Sequence, residues 1–316
     1  MKGCEIFVKL SECMEAFLNM CEAKNLATRT LEDYYSRLTK FYLYLKKENA
    51  QLVEDVAMVE ETHITNYINS MTEKYSPSTV RGTFVVLKVF FKYALHKNYI
   101  MCNPLEYMKA PKLPKVFVHA FSKAEVQEIL TSFDRGTFDG YRNYVMMTVL
   151  FGTGMRKQEL LQLRVDDMLQ DDTCIKVCGK GNKERYIPIS PILHKILKKY
   201  IKKRNSFVAQ KGVHDTGALF VTATSGKALT ASGFDDVFQK LKQSKKKWAT
   251  RVSAHTWRHT FAKYYLLNGG NIFSLQHILG HEDISTTKIY LHLNTQEVIE
   301  QNNKFNPLDN KRWKFI

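Results

Sequence analysis

The sequence predicts a mainly α-helical protein with one small β-hairpin, an α+β fold built from two domains. Apolar residues recur at helical spacing along most of the 316 residues, and one short region alternates instead with a period of two. Pro111 and Pro114 interrupt the helical pattern about a third of the way along the chain. The length independently predicts two domains, at roughly 150 residues each.

Four helices are predicted before the prolines. The first two have apolar faces, formed by Leu10, Met14, Phe17 and Leu18, and by Leu31, Tyr34, Tyr35, Leu38, Tyr42 and Leu45. A shorter helix is predicted over residues 63–71, and a long one over 78–96 after the serine and proline at 76–78. These helices predict a bundle over residues 1–110, and the proline-bearing segment 111–118 predicts a semi-rigid linker.

The second domain is predicted over residues 119–316, with a terminal tail from about residue 294. A capping box at Ser122 and Glu125 opens its first helix. Further helices are predicted over 141–153, 157–164, 191–203, 231–243 and from 255 almost to the end. Alternating residues at 174–178 and 185–189 flank a polar turn that contains two glycines, which predicts a β-hairpin.

The charge of the chain predicts a polyanionic partner. There are 47 Lys and Arg residues against 31 Asp and Glu, a formal net charge of +16 of which most lies after residue 115. With 44% hydrophobic residues the chain is neither disordered nor collagen-like. Its apolar runs are too short to span a bilayer, and Glu5 and Lys9 argue against a signal peptide. We expect a cytoplasmic, nucleoid-associated protein without membrane contact, whose six cysteines are buried thiols.

Four short segments of the second domain carry candidate chemistry. Residues 152–160 contain Arg156 and Glu159, the hairpin turn contains Lys180 between two glycines, residues 255–259 read His-Thr-Trp-Arg-His, and Leu-Gly-His at 279–281 precedes Tyr290 by nine residues. With this ordered set of Arg, Lys, His-x-x-Arg, His and Tyr, the sequence resembles the tyrosine recombinases, the family of phage integrases and Xer-type recombinases. The resemblance covers nearly the whole chain and is closest to the Xer-like architecture, without an arm-binding domain.

The resemblance implies a site-specific DNA recombinase that cleaves and rejoins strands through a 3′-phosphotyrosyl intermediate, without metal, cofactor or ATP. Tyr290 is the nucleophile, and the guanidinium forks of Arg156 and Arg258 neutralise the phosphate oxygens. Lys180 protonates the departing 5′-oxygen, with Lys183 as the alternative. His255 and His281 hydrogen-bond the phosphate, and His255 could also accept the tyrosine proton. Glu159 orients the basic residues around it.

Other basic residues are predicted to contact DNA phosphates. They are Arg81, Lys88 and Lys92 on the long helix of the first domain, Lys183 and Arg185 in the hairpin, and Lys240, Lys242 and Lys245 before His255. The resemblance implies that a SAM-like core-binding domain and the catalytic domain enclose double-stranded DNA at inverted core half-sites. It also implies a homo-tetramer on DNA in which the C-terminal tail docks in trans on a neighbouring subunit.

Two other functions are compatible with parts of the sequence. His255 and His259, and His277 and His281, have the i, i+4 spacing of zinc ligands, which would suit a metal-dependent hydrolase. Neither pair has the glutamate of His-Glu-x-x-His, and no compact acidic cluster suggests a two-metal nuclease, so we predict no metal site. The second alternative is a catalytically silent DNA-binding regulator of the same fold. The target DNA sequence is not encoded in these motifs.

Overall fold

The computed structural model describes residues 7–114, 119–168, 173–179, 184–243 and 252–288. The chain forms two compact units, Met1–Val116 and Phe117–Ile316. Their architecture confirms the predicted fold class, mainly α-helical with a small antiparallel sheet of two strands in the described part of the second unit. Among the described residues, no helix combines the length and the apolar character needed to cross a bilayer.

The first unit is a helical bundle. Its helices are α1 (Leu10–Ala23), α2 (Thr28–Glu48), α3 (Glu61–Thr72) and α4 (Pro77–His96), with short 3-10 helices at Ala50–Val53 and Val56–Met58 between α2 and α3. Helix α4 begins where Ser76 Oγ accepts a hydrogen bond from the Thr79 amide, with Pro77 in the first turn. The predicted apolar faces meet in the core, except that Tyr35 of α2 is exposed.

The described part of the second unit contains eight α-helices and a β-hairpin, and α5, α8 and α10 pack against α6. The helices are α5 (Lys123–Thr131), α6 (Phe138–Thr153), α7 (Lys157–Gln162), α8 (Pro191–Lys211), α9 (Ala231–Gln243), α10 (Ala254–Leu267), α11 (Ile272–Leu279) and α12 (Ser285–Lys288). Strands β1 (Cys174–Cys178) and β2 (Glu184–Pro188) pair antiparallel, with Ile175 opposite Ile187 and Val177 opposite Arg185. The core contains Trp257 and the inward apolar residues of both strands.

Two helix predictions were wrong in extent. Helix α8 continues eight residues beyond the predicted 191–203, because Arg204 is buried and ion-paired with Asp215 and Val208 is also buried, which stabilises the last turns. The predicted helix from 255 is interrupted, because Gly269 and Gly280 adopt positive φ angles of 91° and 65° that end the α-helical hydrogen bonding.

The cysteines are less buried than the sequence suggested. Cys13 and Cys21 of α1 lie in the core of the first unit, and burial raises the pKa of the Cys13 thiol to about 12. Cys102 and Cys178 are exposed, so the expectation of uniformly buried thiols was wrong for these two.

Candidate active site

The candidate site lies where several elements of the second unit end or begin close together. Arg156 stands at the start of α7, directly after Gly154 has ended α6 with a positive φ of 63°. Helix α10 begins after Ser253, whose hydroxyl accepts from the Thr256 amide, so that His255 and Arg258 occupy its first turns. Helix ends bring functional side chains together here without any long loop.

Three arginines bind three successive carbonyl groups at the end of α11. Arg185 Nε donates to the Ile278 carbonyl at 3.0 Å, Arg258 Nη2 to the Leu279 carbonyl at 2.8 Å, and Arg156 Nη2 to the Gly280 carbonyl at 3.1 Å. The last carbonyls of a helix lack intrahelical partners and carry partial negative charge, so guanidinium donors satisfy and stabilise them. The arrangement fixes the three arginines and the α11 terminus relative to one another.

The Glu159 carboxylate connects two of these arginines. It is 4% exposed and accepts from Arg185 Nη1 and Nη2, each at 2.8 Å, and from Arg156 Nη1 at 2.9 Å. It also accepts from the Arg156 backbone amide at 2.7 Å. Burial alone would raise the pKa of this carboxyl, but the hydrogen bonds from Arg185 and Arg156 lower it to about 2. Glu159 is therefore charged at neutral pH and balances part of the arginine charge.

Gly154 allows a close approach to Arg258 and α11. Arg258 Nη1 donates to the Gly154 carbonyl at 2.8 Å. A Cβ on Gly154 would lie 2.4 Å from Phe261 Cδ1 and 2.8 Å from Leu279 Cδ2, which is closer than van der Waals contact permits. Only glycine therefore fits this position, both for its positive φ and for the space around it.

The histidines of the site favour their neutral form. His281 Nδ1 is 2.8 Å from Thr287 Oγ1, and the rings of His255 and His259 meet edge to face with centroids 4.0 Å apart. Burial and the neighbouring Arg258 lower the pKa of His255, and burial with the nearby arginines lowers that of His281 to about 4. Burial, with the neighbouring His255, also lowers the pKa of His259 to about 4. Neutral imidazoles beside cations can accept protons and hydrogen bonds at neutral pH.

An open cavity of about 740 Å³ borders this cluster. Its lining includes Arg156, Gly179, Arg185, His277, Gly280 and His281. Arg156 remains 44% exposed in spite of its contacts with Glu159 and Gly280, so a ligand in the cavity can reach its guanidinium. Among the residues that the structure describes, no group of three His, Cys, Asp or Glu side chains is arranged to hold a metal ion.

The position of Arg185 differs from the prediction. The sequence placed it on the DNA-contacting surface, but its side chain is only 10% exposed and all three guanidinium nitrogens bind Glu159 or Ile278. The signal was present in the alternation of β2, because Arg185 lies two residues before the buried Ile187 and therefore on the same face of the strand. Arg185 is thus held by protein acceptors, although its side chain still lines the cavity, and its DNA contact stays a prediction.

The remaining predicted residues fall into two groups. Lys88 and Lys92 on α4 and Lys240 and Lys242 on α9 are exposed, whereas Arg81 is half-buried and donates to the Pro111 carbonyl at 2.8 Å. Outside the described residues lie Lys180, Lys183, Lys245, Tyr290 and the predicted tail.

Guanidinium and imidazole groups border this cavity, together with the carboxylates of Glu184, Glu282 and Asp283. Guanidinium forks can bind the non-bridging oxygens of a phosphodiester. Residues 119–297 match the phage integrase family, and residues 13–100 match the phage integrase N-terminal SAM-like domain. The chain therefore belongs to the phage integrase family, and the predicted class, a tyrosine site-specific recombinase, is confirmed.

The similarity to individual proteins extends over nearly the full chain. The chain is 30% identical to the tyrosine recombinase XerD of Staphylococcus haemolyticus, across 90% of this chain and 94% of the relative. It is 27% identical to the tyrosine recombinase XerC of Anoxybacillus flavithermus, across 85% and 89% of the two chains.

Two solved structures share the fold at 21% identity. One is the Tn1549 transposon integrase in complex with circular intermediate DNA, with a TM-score of 0.72 over 93% of this chain and 99% of that one. The other is the XerH site-specific recombinase bound to palindromic difH substrate, with a TM-score of 0.69 over 93% and 84%.

Proposed function

We propose that this chain recombines double-stranded DNA at a specific site, with Arg156, Arg258, His255 and His281 around the scissile phosphate and Tyr290 as the nucleophile. The supporting observation is the junction at the end of α11, where Arg156 and Arg258 bind consecutive carbonyls directly before His281. Of these side chains, Arg156 and His281 line the open cavity, whereas Arg258 is buried and donates to the Gly154 and Leu279 carbonyls.

The proposed reaction needs neither a metal ion nor ATP, because every bond and proton is exchanged between DNA and side chains of this protein. Tyr290 Oη attacks phosphorus, and a bond from phosphorus to the tyrosine oxygen replaces the bond to the 5′-oxygen. His255 accepts the tyrosine proton, and Lys180 gives a proton to the departing 5′-oxygen. The 5′-hydroxyl of a partner strand then reverses these steps and releases Tyr290. The exposed His255 has a lowered pKa, caused by desolvation and by Arg258, so its imidazole is neutral at neutral pH, which is the form that can accept a proton.

The proposed domains follow the two compact units. Residues 1–110 form a SAM-like core-binding domain, 111–118 a linker and 119–316 the catalytic domain with its tail. Exposed Lys88, Lys92, Lys240 and Lys242 are available for phosphate contacts, as the net charge of +16 favours. Four copies assemble on DNA with inverted core half-sites, and each tail docks in trans. Such an enzyme works in the cytoplasm, on the nucleoid.

A nicked suicide substrate tests this function. Tyr290→Phe is expected to bind the recombination site as well as wild type and to form no covalent protein–DNA adduct, because only the phenolic oxygen is lost. Tyr186→Phe is the matched control, since Tyr186 is exposed on β2 and is expected to leave adduct formation unchanged. An adduct that persists in Tyr290→Phe would exclude Tyr290 as the nucleophile.

Two further outcomes of the same assay separate the alternatives. A metal-dependent hydrolase would stop in EDTA, whereas this enzyme is expected to continue at the same rate. A silent DNA-binding regulator would bind the site and give no adduct even as the wild-type protein.

A further inference from the structure

Arg185 makes contacts that no step of the proposed reaction uses. Its Nη1 and Nη2 form a bidentate ion pair with Glu159, and its Nε donates to the Ile278 carbonyl. The side chain is 10% exposed, and all three of its guanidinium nitrogen atoms donate to protein acceptors. Arg185 therefore has an environment unlike that of a surface arginine that binds a DNA phosphate.

Both partners of Arg185 lead directly to proposed phosphate-binding residues. Glu159 accepts from the backbone amide and from Nη1 of Arg156, so its carboxylate sets the position of that guanidinium. Ile278 lies in the last turn of α11, three residues before His281. Arg185 is thus the described side chain that joins strand β2 to the Glu159 carboxylate and to the end of α11.

We propose that Arg185 is a positioning residue for strand cleavage, which holds Arg156 through Glu159 and His281 through the end of α11 without contacting DNA itself. This inference rests on the proposed function, in which Arg156 and His281 bind the scissile phosphate. Displacing a reacting group by about 1 Å can slow a reaction on the order of 100-fold, so loss of this support slows cleavage more than it weakens binding.

The geometry requires arginine at this position. A guanidinium presents two parallel N–H donors to a carboxylate and a third donor at Nε, which the single ammonium of lysine cannot reproduce. The fit is also close, because a Cβ on Gly280 would lie 3.1 Å from Arg185 Nε and Cζ. We therefore expect Arg185→Lys to preserve the charge and still cleave slowly.

Binding and cleavage measured separately test the proposal. Arg185→Gln is expected to bind a single half-site within about twofold of wild type, with an unchanged dependence of affinity on salt, because no phosphate contact is lost. Its single-turnover rate of adduct formation at saturating DNA is expected to fall on the order of 100-fold. The matched control is Lys176→Gln, which removes a cation of the same hairpin that is paired with Glu184 at 2.7 Å and is expected to cleave normally.

A second variant separates positioning from simple neutralisation of a buried charge. Arg185→Gln alone leaves Glu159 without its bidentate partner and could destabilise the fold, so thermal unfolding is measured first. The double variant Arg185→Gln with Glu159→Gln replaces the ion pair by two amides of similar size. Glu159→Gln alone is the reference, because loss of the carboxylate also removes its contacts with Arg156. If Arg185 only neutralised Glu159, the double variant would cleave at the same rate as Glu159→Gln, and the proposal would be overturned. A folded double variant that cleaves more slowly than Glu159→Gln is the expected result.

A neutral substrate provides a readout that general damage would not move. A methylphosphonate at the scissile position lacks the negative charge that Arg156 is proposed to bind, so Arg156→Ala is expected to regain much of its lost cleavage there. The defect of Arg185→Gln is expected to shrink in parallel. If the methylphosphonate restores cleavage by Arg156→Ala but not by Arg185→Gln, the positioning role of Arg185 is refuted and the proposed function is not. No rescue of Arg156→Ala would instead refute the proposed phosphate contact of Arg156.

Discussion

At the scale of single residues, the site is an electrostatic arrangement in which burial and ion pairing act against each other. The Glu159 carboxylate is buried, which favours protonation, yet four hydrogen bonds from Arg156 and Arg185 keep it charged. His259 and His281 are partly buried near positively charged groups, so they favour the neutral form. These opposite shifts make the stability of the second unit depend on pH in two separate ranges.

The first range is that of the histidines. The pKa values of His259 and His281 lie at about 4 in the folded protein and near 6.5 when unfolded, so the unfolded chain binds protons first on acidification. We expect the free energy of unfolding to fall between pH 6.5 and pH 4, by about 1 kcal/mol for each histidine after solvent screening. Urea unfolding at several pH values, with NMR titration of the imidazoles, measures this. Constant stability between pH 7 and pH 5 would contradict it.

The second range is that of Glu159. Its folded pKa of about 2 lies below the ordinary 4.5, so its contribution to stability is present above pH 4.5 and is lost as the pH falls toward 2. In urea unfolding at several pH values, Glu159→Gln is expected to lose the pH dependence between pH 4.5 and pH 2. The pH dependence that comes from the histidines is expected to stay, which would identify the Glu159 carboxylate as the source of the acidic range.

The choice between Lys180 and Lys183 as the general acid is another prediction about single residues. Lys180→Ala is expected to lose cleavage heavily on a normal substrate, because the 5′-oxygen must be protonated as it leaves. Sulfur in place of that bridging oxygen leaves without a proton and is expected to restore cleavage by this variant. Lys183→Ala serves as the control and is expected to resemble wild type on both substrates. Sulfur rescue of Lys183→Ala alone would reverse the assignment.

At the scale of secondary-structure elements, the site depends on how helices end. Gly154 and Gly280 end α6 and α11 with positive φ angles, and the released carbonyl groups become the acceptors for Arg258 and Arg156. A helix that continued through either glycine would keep those carbonyls in its own hydrogen bonding. The sequence pattern predicted the end of α6 at Thr153 but not the end of α11 before Gly280, so it did not predict the acceptors that α11 provides.

Two glycines with the same backbone conformation provide a matched test of this packing. Gly154 and Gly212 have φ angles of 63° and 64°, and a Cβ on Gly212 meets no atom within 4 Å, whereas one on Gly154 meets Phe261 and Leu279. We expect Gly212→Ala to cost about 1 kcal/mol of unfolding free energy, from backbone strain alone. We expect Gly154→Ala to cost at least about 3 kcal/mol, because overpacking adds to the same strain. If urea unfolding gave the same loss of unfolding free energy for both variants, the close contacts around Gly154 would add nothing to the cost of the alanine.

At the scale of the whole molecule, assembly and activity are expected to depend on the same residues. The terminal stretch contains Phe305, Trp313, Phe315 and Ile316, more apolar surface than an exposed chain end usually carries. We predict that truncation after Asn303 leaves binding to a single half-site nearly unchanged and reduces synapsis and recombination together, because the proposed docking in trans would link them. Gel-shift assays with one and two half-sites and a recombination assay measure both. A truncated protein that forms tetrameric synapses and recombines at the wild-type rate would exclude the tail from assembly.

The sequence by itself determined the fold class, the family and the ordered set of candidate residues. Helical periodicity reports which face of a segment is buried, and the alternation at 174–178 and 185–189 reports a hairpin, because both patterns are local consequences of backbone geometry. The motif residues were recognisable because the order and spacing of these residue types along the chain identify the family.

Only the tertiary structure decided the partners of these residues. Arg156 meets a carbonyl 124 residues away, and Arg185 meets a carboxylate 26 residues away, which no local pattern encodes. Similarly, the buried Arg204 pairs with the partly exposed Asp215, which stabilises α8 beyond its predicted end. Periodicity specifies that one face of a helix or strand is buried, but not which groups pack against that face. The hydrogen-bond acceptors around a buried guanidinium decide what that guanidinium does, and they are known only from the tertiary structure.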